Sequence, residues 1–91
     1  MTTSEVFGLI KRLYSGCGIA EPVVRHEHTN RFGDTLVEVE HPYRSKYLQI
    51  VYNGEQIKGP ILDCWINPNY LCRYNSSCEI SNIEQLQKWA A

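Results

Sequence analysis

His26 and His28 flank Glu27 in a β-rich stretch. On a strand, residues two apart point the same way, so the two imidazoles would sit close enough to share a metal ion. A metal needs a third ligand, and His41 is the obvious donor. If the strands pair as their apolar patterns ask, His41 lies about 13 Å from His26, four residues along at the usual strand rise. The cysteines add nothing, because Cys17, Cys64, Cys72 and Cys78 contain no Cys-x-x-Cys pair. We therefore expect no metal and no cofactor; a small His/Cys metal-binding protein or enzyme is the alternative.

Cys17 is a second candidate, as a nucleophile partnered by a histidine. A reactive thiolate wants a helix N-terminus or a cationic neighbour. Cys17 instead follows the C-terminal end of a helical segment, where the helix dipole disfavours the anion. Gly16 and Gly18 read as a helix stop and not as a phosphate cradle, since they follow a helix instead of opening one. Glu27, Glu38 and Glu40 could pair carboxylates for acid–base work, but the alternation puts Glu38 and Glu40 on a solvated face with Arg25, Gln49 and Lys58. No catalytic residue is expected.

Two segments mix aromatic and cationic residues: Pro42-Tyr43-Arg44-Ser45-Lys46-Tyr47 and Asn69-Tyr70-Leu71-Cys72-Arg73-Tyr74. Tyrosine and arginine dominate protein–protein hot spots because each combines a large contact area with a polar tip. The expected protein-binding residues are Tyr43, Arg44, Lys46, Tyr47, Tyr70, Arg73 and Tyr74. Single-stranded nucleic acid could stack on the same rings. A net charge of −1, however, argues against a binder of phosphate backbones.

These residues need a scaffold. Ninety-one residues, 43% hydrophobic and 21% charged, make one folded domain spanning 1–91. No apolar run is long enough to cross a bilayer, and Met1–Glu5 lacks a basic, apolar leader, so a cytosolic protein with reduced cysteines is expected. A Cys72–Cys78 bridge across Asn75-Ser76-Ser77 is the oxidised alternative; that triplet also matches a glycosylation acceptor, which without secretion means only a polar turn.

The periodicity predicts a helix over Thr3–Tyr14, capped by Thr2 with Glu5, with Val6, Ile10, Leu13 and Tyr14 turned inward. Strands follow over Val23–His28, Thr35–Glu40 and Tyr47–Tyr52. Placing Thr29 opposite Asp34 pairs Val24 with Val39, His26 with Val37 and Arg25 with Glu38. The next connection pairs Glu40 with Tyr47, Val39 with Leu48 and Val37 with Ile50. Asn53-Gly54, read as a two-residue turn, sets Ile50 opposite Ile57. Together these give one apolar row of Val24, Val37, Val39, Leu48, Ile50 and Ile57. Ile61–Ile66 reads as a further strand with Trp65 in the core, and Leu71–Tyr74 as a short edge strand or loop that could pair with a second copy. Ser81 with Glu84 reads as the capping box of a last helix with Ile83, Leu86 and Trp89 inward.

The expected architecture is α+β: a four- to five-stranded antiparallel meander with N-terminal and C-terminal helices packed on one face. Small size and this layout are shared by stoichiometric inhibitors and adaptors of phage or bacterial mobile elements, including anti-CRISPR-like and other anti-defence inhibitors. That is an analogy at the level of fold alone. The functional expectation is a small non-enzymatic protein that binds a larger protein partner.

Overall fold

The computed structural model of the chain describes residues 1–66 and 77–91. Its elements are α1 (Thr3–Gly16), β1 (Val24–Thr29), β2 (Thr35–Glu40), β3 (Lys46–Asn53), β4 (Gln56–Ile57), β5 (Ile61–Trp65), β6 (Ser77–Ile80) and α2 (Ile83–Ala90). All strand pairs are antiparallel, in the order β1-β2-β3-β5-β6, with the two-residue β4 beside the far end of β3. This is the expected α+β meander. Among the described residues no helix is long and apolar enough to cross a membrane.

The β2–β3 register is the expected one: Val37 faces Ile50, Val39 faces Leu48 and Glu40 faces Tyr47. Alternation then turns Val37, Val39, Leu48 and Ile50 to one face, where they meet Val6, Leu9, Ile10 and Tyr14 of α1 and Leu86 and Trp89 of α2. Ile61 of β5 and Ile80 of β6 complete that core. Both helices therefore cover the same sheet face. Leu13, expected inward, is only half-buried, whereas Leu9 is buried.

Two registers differ from the sequence reading. β1 pairs Val24 with Val39 as expected, but a bulge at Arg25 shifts the remainder, so His26 faces Glu38 and His28 faces Leu36. The extra residue keeps Arg25 and Glu38 neighbours while moving His26 away from Val37. The second difference is at Asn53-Gly54. Tyr52, not Ile50, pairs with Ile57, and the two-residue turn is Gly54-Glu55. A turn centred on Asn53-Gly54 needs positive φ at both residues. Only Gly54 has it (φ 59), at the first central position, as a type II′ turn requires. Asn53 remains in the strand, where its side-chain amide donates to Asp34 Oδ1 (3.0 Å) and the Phe32 carbonyl (3.3 Å). Gly54→Ala should consequently cost about 1–3 kcal/mol through backbone strain, read as a lower denaturation midpoint. An unchanged midpoint would contradict the turn described.

That turn also docks on α1. Thr3 donates to the Gly54 carbonyl (3.1 Å), and Ser4 donates to the Glu55 carboxylate (2.9 Å), which places an anion at the helix N-terminus. Thr2 and Glu5 form the expected capping box. At α2 the cap is Asn82 instead of Ser81. Asn82 Oδ1 accepts the Gln85 amide (2.9 Å), and the Gln85 side chain returns to the Ser81 amide (2.7 Å). The cap is thus one residue later than expected, and the returning bond reaches the residue before the cap, so no capping box closes.

Candidate functional site

The connection between β2 and β3 is built from the inside outward. β2 alternates Val37, Val39, and then, one step past the strand, His41; all three turn toward the helices, and His41 is 4% exposed. The His41 amide donates to the Lys46 carbonyl (2.8 Å), the Lys46 amide to the Arg44 carbonyl (2.8 Å), and the Ile66 amide to the Ser45 carbonyl (2.9 Å). His41 Nδ1 accepts the Tyr43 amide at 3.1 Å. The loop is thus tied at four points, yet its apex is open: Tyr43 is 67% exposed and Arg44 is exposed beside it. The Tyr43 hydroxyl lies against the Cys17 thiol, which, first among the causes, raises its pKa.

Behind the apex lies an aromatic and ionic cluster. Lys46 is 8% exposed, with Nζ 5.4 Å from the Trp65 ring centroid and 5.2 Å from that of Trp89. The Trp89 indole donates to Asp63 Oδ1 (2.8 Å), and its ring meets His41 edge-on at 4.7 Å. Burial lowers the Lys46 pKa, with Asp63 opposing and Arg44 adding to the effect. Burial and then the Lys46 charge lower that of His41. The rings supply π-faces to a cation that has left water.

Lys46 and Tyr47 were expected at the contact surface, and the structure corrects both. They belong to β3, so one side chain enters the cluster under α2 and the other the opposite sheet face, where Tyr47 is fully buried. Of the four expected contact residues in this loop, Tyr43 and Arg44 present a surface. Tyr70, Arg73 and Tyr74 lie outside the described residues, as do Cys72 and the expected strand or loop over Leu71–Tyr74. Trp65, expected in the core, is 40% exposed at the end of β5 against Lys46.

The opposite face is not the solvated one expected. Glu38 is 2% exposed; its Oε2 accepts from the Gln49 amide (3.0 Å), and Arg25 Nε stands 3.9 Å from its Oε1. The Arg25 guanidinium also lies 4.3 Å from the Tyr47 ring centroid. Cys64, 1% exposed, has its thiol pKa raised by burial, which disfavours a nucleophilic thiolate. The Cys17 thiol donates to the Leu13 carbonyl (3.0 Å) as part of the α1 C-cap. His26 shares its sheet face with Glu38, away from His41. Among the described residues no three His, Cys, Asp or Glu side chains come together as a metal site.

No protein-family model matches the chain, and neither a curated protein nor a solved structure is significantly similar to it.

Sequence reasoning passed over His41 as anything but a metal ligand. The signal was present, because the inward row Val37, Val39 extends to position 41. It also passed over Phe32, 72% exposed at the β1–β2 loop and held by Asn30 Oδ1, which accepts the Phe32 (2.9 Å) and Asp34 (3.1 Å) amides.

Proposed function

We propose that the chain is a small protein-interaction module, a stoichiometric inhibitor or adaptor of a larger protein complex, whose contact centre is the Tyr43–Arg44 apex. One observation carries this reading: a large aromatic side chain is two-thirds exposed on a backbone that buried groups hold still. A rigid exposed tyrosine beside an arginine loses little conformational freedom on binding, so more of its contact energy appears as affinity. Groups of the kind that perform chemistry are occupied in holding the fold. The Cys17 thiol caps α1, Lys46 fills the space between two tryptophans, and His41 anchors the loop. Cys17, Cys64 and Cys78 are free thiols, in keeping with a reducing cytosol.

The test begins with affinity capture from a host lysate, followed by mass spectrometry, to find a large partner at one-to-one stoichiometry. Tyr43→Ala and Arg44→Ala should each weaken that complex at least about thirtyfold. The double variant should lose capture while melting within a few degrees of the parent chain. Undiminished capture by a folded double variant would remove this apex as the contact centre.

A further inference from the structure

We propose that His41 is the positioning residue of the Tyr43–Arg44 apex, and that protonation of its imidazole releases the loop and makes contact through Tyr43 acid-sensitive. The inference rests on the protein-binding reading of that apex and adds a means of regulating it.

The geometry assigns the tautomer. Nδ1 accepts the Tyr43 amide, so the ring is neutral and its proton is on Nε2. Nε2 is buried near the Trp89 carbonyl but makes no hydrogen bond of good geometry to any described residue. A second proton, taken from solvent, has only Nδ1 to bind. Nδ1–H would then face the Tyr43 N–H, donor against donor, and the tie would be lost.

The surroundings oppose the charged ring from most sides. Lys46 of β3 and, less strongly, Arg44 of the loop repel it, while the Trp89 carbonyl of α2, which ranks between those two, and then Asp63 of β5 act the other way. The Trp89 ring closes one side edge-on at 4.7 Å, and α1 contributes Tyr14, whose neutral hydroxyl donates to the carbonyl of Glu40, the preceding residue. Asp63 is already engaged by the Trp89 indole at 2.8 Å, which limits what it can offer a second cation. Burial acts with the two cations, so the proton enters below the ordinary imidazole value of 6.5. The loop is therefore held at neutral pH and released in acid.

The experiment is an NMR titration of the free, nitrogen-15-labelled chain from pH 8 to 4.5, with His26 and His28 as internal references. As His41 titrates, with a midpoint below the ordinary imidazole value of 6.5, the Tyr43 amide should shift and its hydrogen-exchange protection should fall at least about tenfold, after correction for the intrinsic pH dependence of exchange. His41→Asn keeps an acceptor near the Nδ1 position and cannot titrate. It should retain Tyr43 protection at neutral pH and abolish the acid response. A Tyr43 amide unmoved through the His41 titration would overturn the proposal, as would an equal acid response in His41→Asn. The wild-type titration decides the matter even if the variant folds poorly. Because it needs no partner, its failure is distinct from that of the contact reading, which fails when Tyr43→Ala leaves partner capture unchanged.

Discussion

Trp89→Ala should destabilise the chain by about 3–5 kcal/mol, the usual cost of truncating a buried aromatic side chain to a methyl group. For a domain of this size each kcal/mol lowers the melting temperature by about 4–8 °C, so the variant should melt at least about 12 °C below the parent chain. Three contacts disappear together, in addition to the edge-on one with His41. The core beneath α2 loses a residue that is 4% exposed, Asp63 Oδ1 loses its indole donor, and Lys46 loses one of its two rings. Trp89→Phe separates them. It keeps most of the apolar contact and a π-face but removes the N–H, and should cost only about 1–2 kcal/mol, from the unpaired carboxylate oxygen. Urea unfolding of the three proteins at pH 7 measures both steps. A Trp89→Ala loss under about 1 kcal/mol would mean that α2 does not seat on the sheet as described.

Tyr47→Ala is expected to behave as a core truncation of similar size, about 3–5 kcal/mol, even though Tyr47 is in the tyrosine–arginine segment from which surface contacts were expected. Its side chain is fully buried beneath the Arg25 guanidinium. The hydroxyl makes no hydrogen bond of good geometry among the described residues, and the polar group beside it is the weakly bonding Cys64 thiol. Tyr47→Phe should accordingly be neutral, or stabilising by up to about 1 kcal/mol, because a weak contact with a thiol returns little of what burying the hydroxyl costs.

A pH signature follows from the same burial. Burial, first among the causes, raises the Tyr47 phenol far above its ordinary value of 10.0. The folded chain holds that proton more tightly than the unfolded one, so the associated stability is present below pH 10 and lost as pH rises beyond it. Tyr47→Phe should flatten this alkaline decline, leaving the shares contributed by Tyr14 and Cys64, whose pKa values are also raised by burial, and by Tyr43, raised by the Cys17 thiol. Stability measured from pH 8 to 11.5 in both proteins checks the sign. An alkaline decline of equal steepness in Tyr47→Phe would place the sensitivity elsewhere. His41 acts at the other end of the range. Its lowered pKa means that stability is intact above about pH 6.5 and falls as pH drops below it.

Much of the scaffold was legible in order along the chain. The Thr2–Glu5 capping box, the helix after it, and the β2–β3 register depend on residues a few positions apart. Local geometry alone relates such residues: hydroxyl reach at a helix start, and period-two alternation across a short connection. The Tyr43–Arg44 apex was legible for the same reason, as a polar and aromatic interruption between two alternating strands.

What failed did so where a distant group outvoted a local signal. Asn53-Gly54 is a strong turn dipeptide, yet Asn53 stays in β3 because Asp34 and Phe32, about twenty positions earlier, bind its side chain. Arg25 and Glu38 read as solvated charges on an alternating strand, yet a bulge and the Tyr47 ring bring them into a buried cluster. Lys46 reads as a surface cation until Trp65 and Trp89, from a strand and a helix it does not adjoin in sequence, close around it.

The amino-acid order alone determined most of the helix and strand segments, β6 (Ser77–Ile80) excepted, and which face of the sheet takes the helices, because those choices are settled over a few residues. Only the tertiary structure decided which charges leave water and which aromatic rings remain in it. Burial depends on what the rest of the chain lays over a side chain, and no local pattern carries that information.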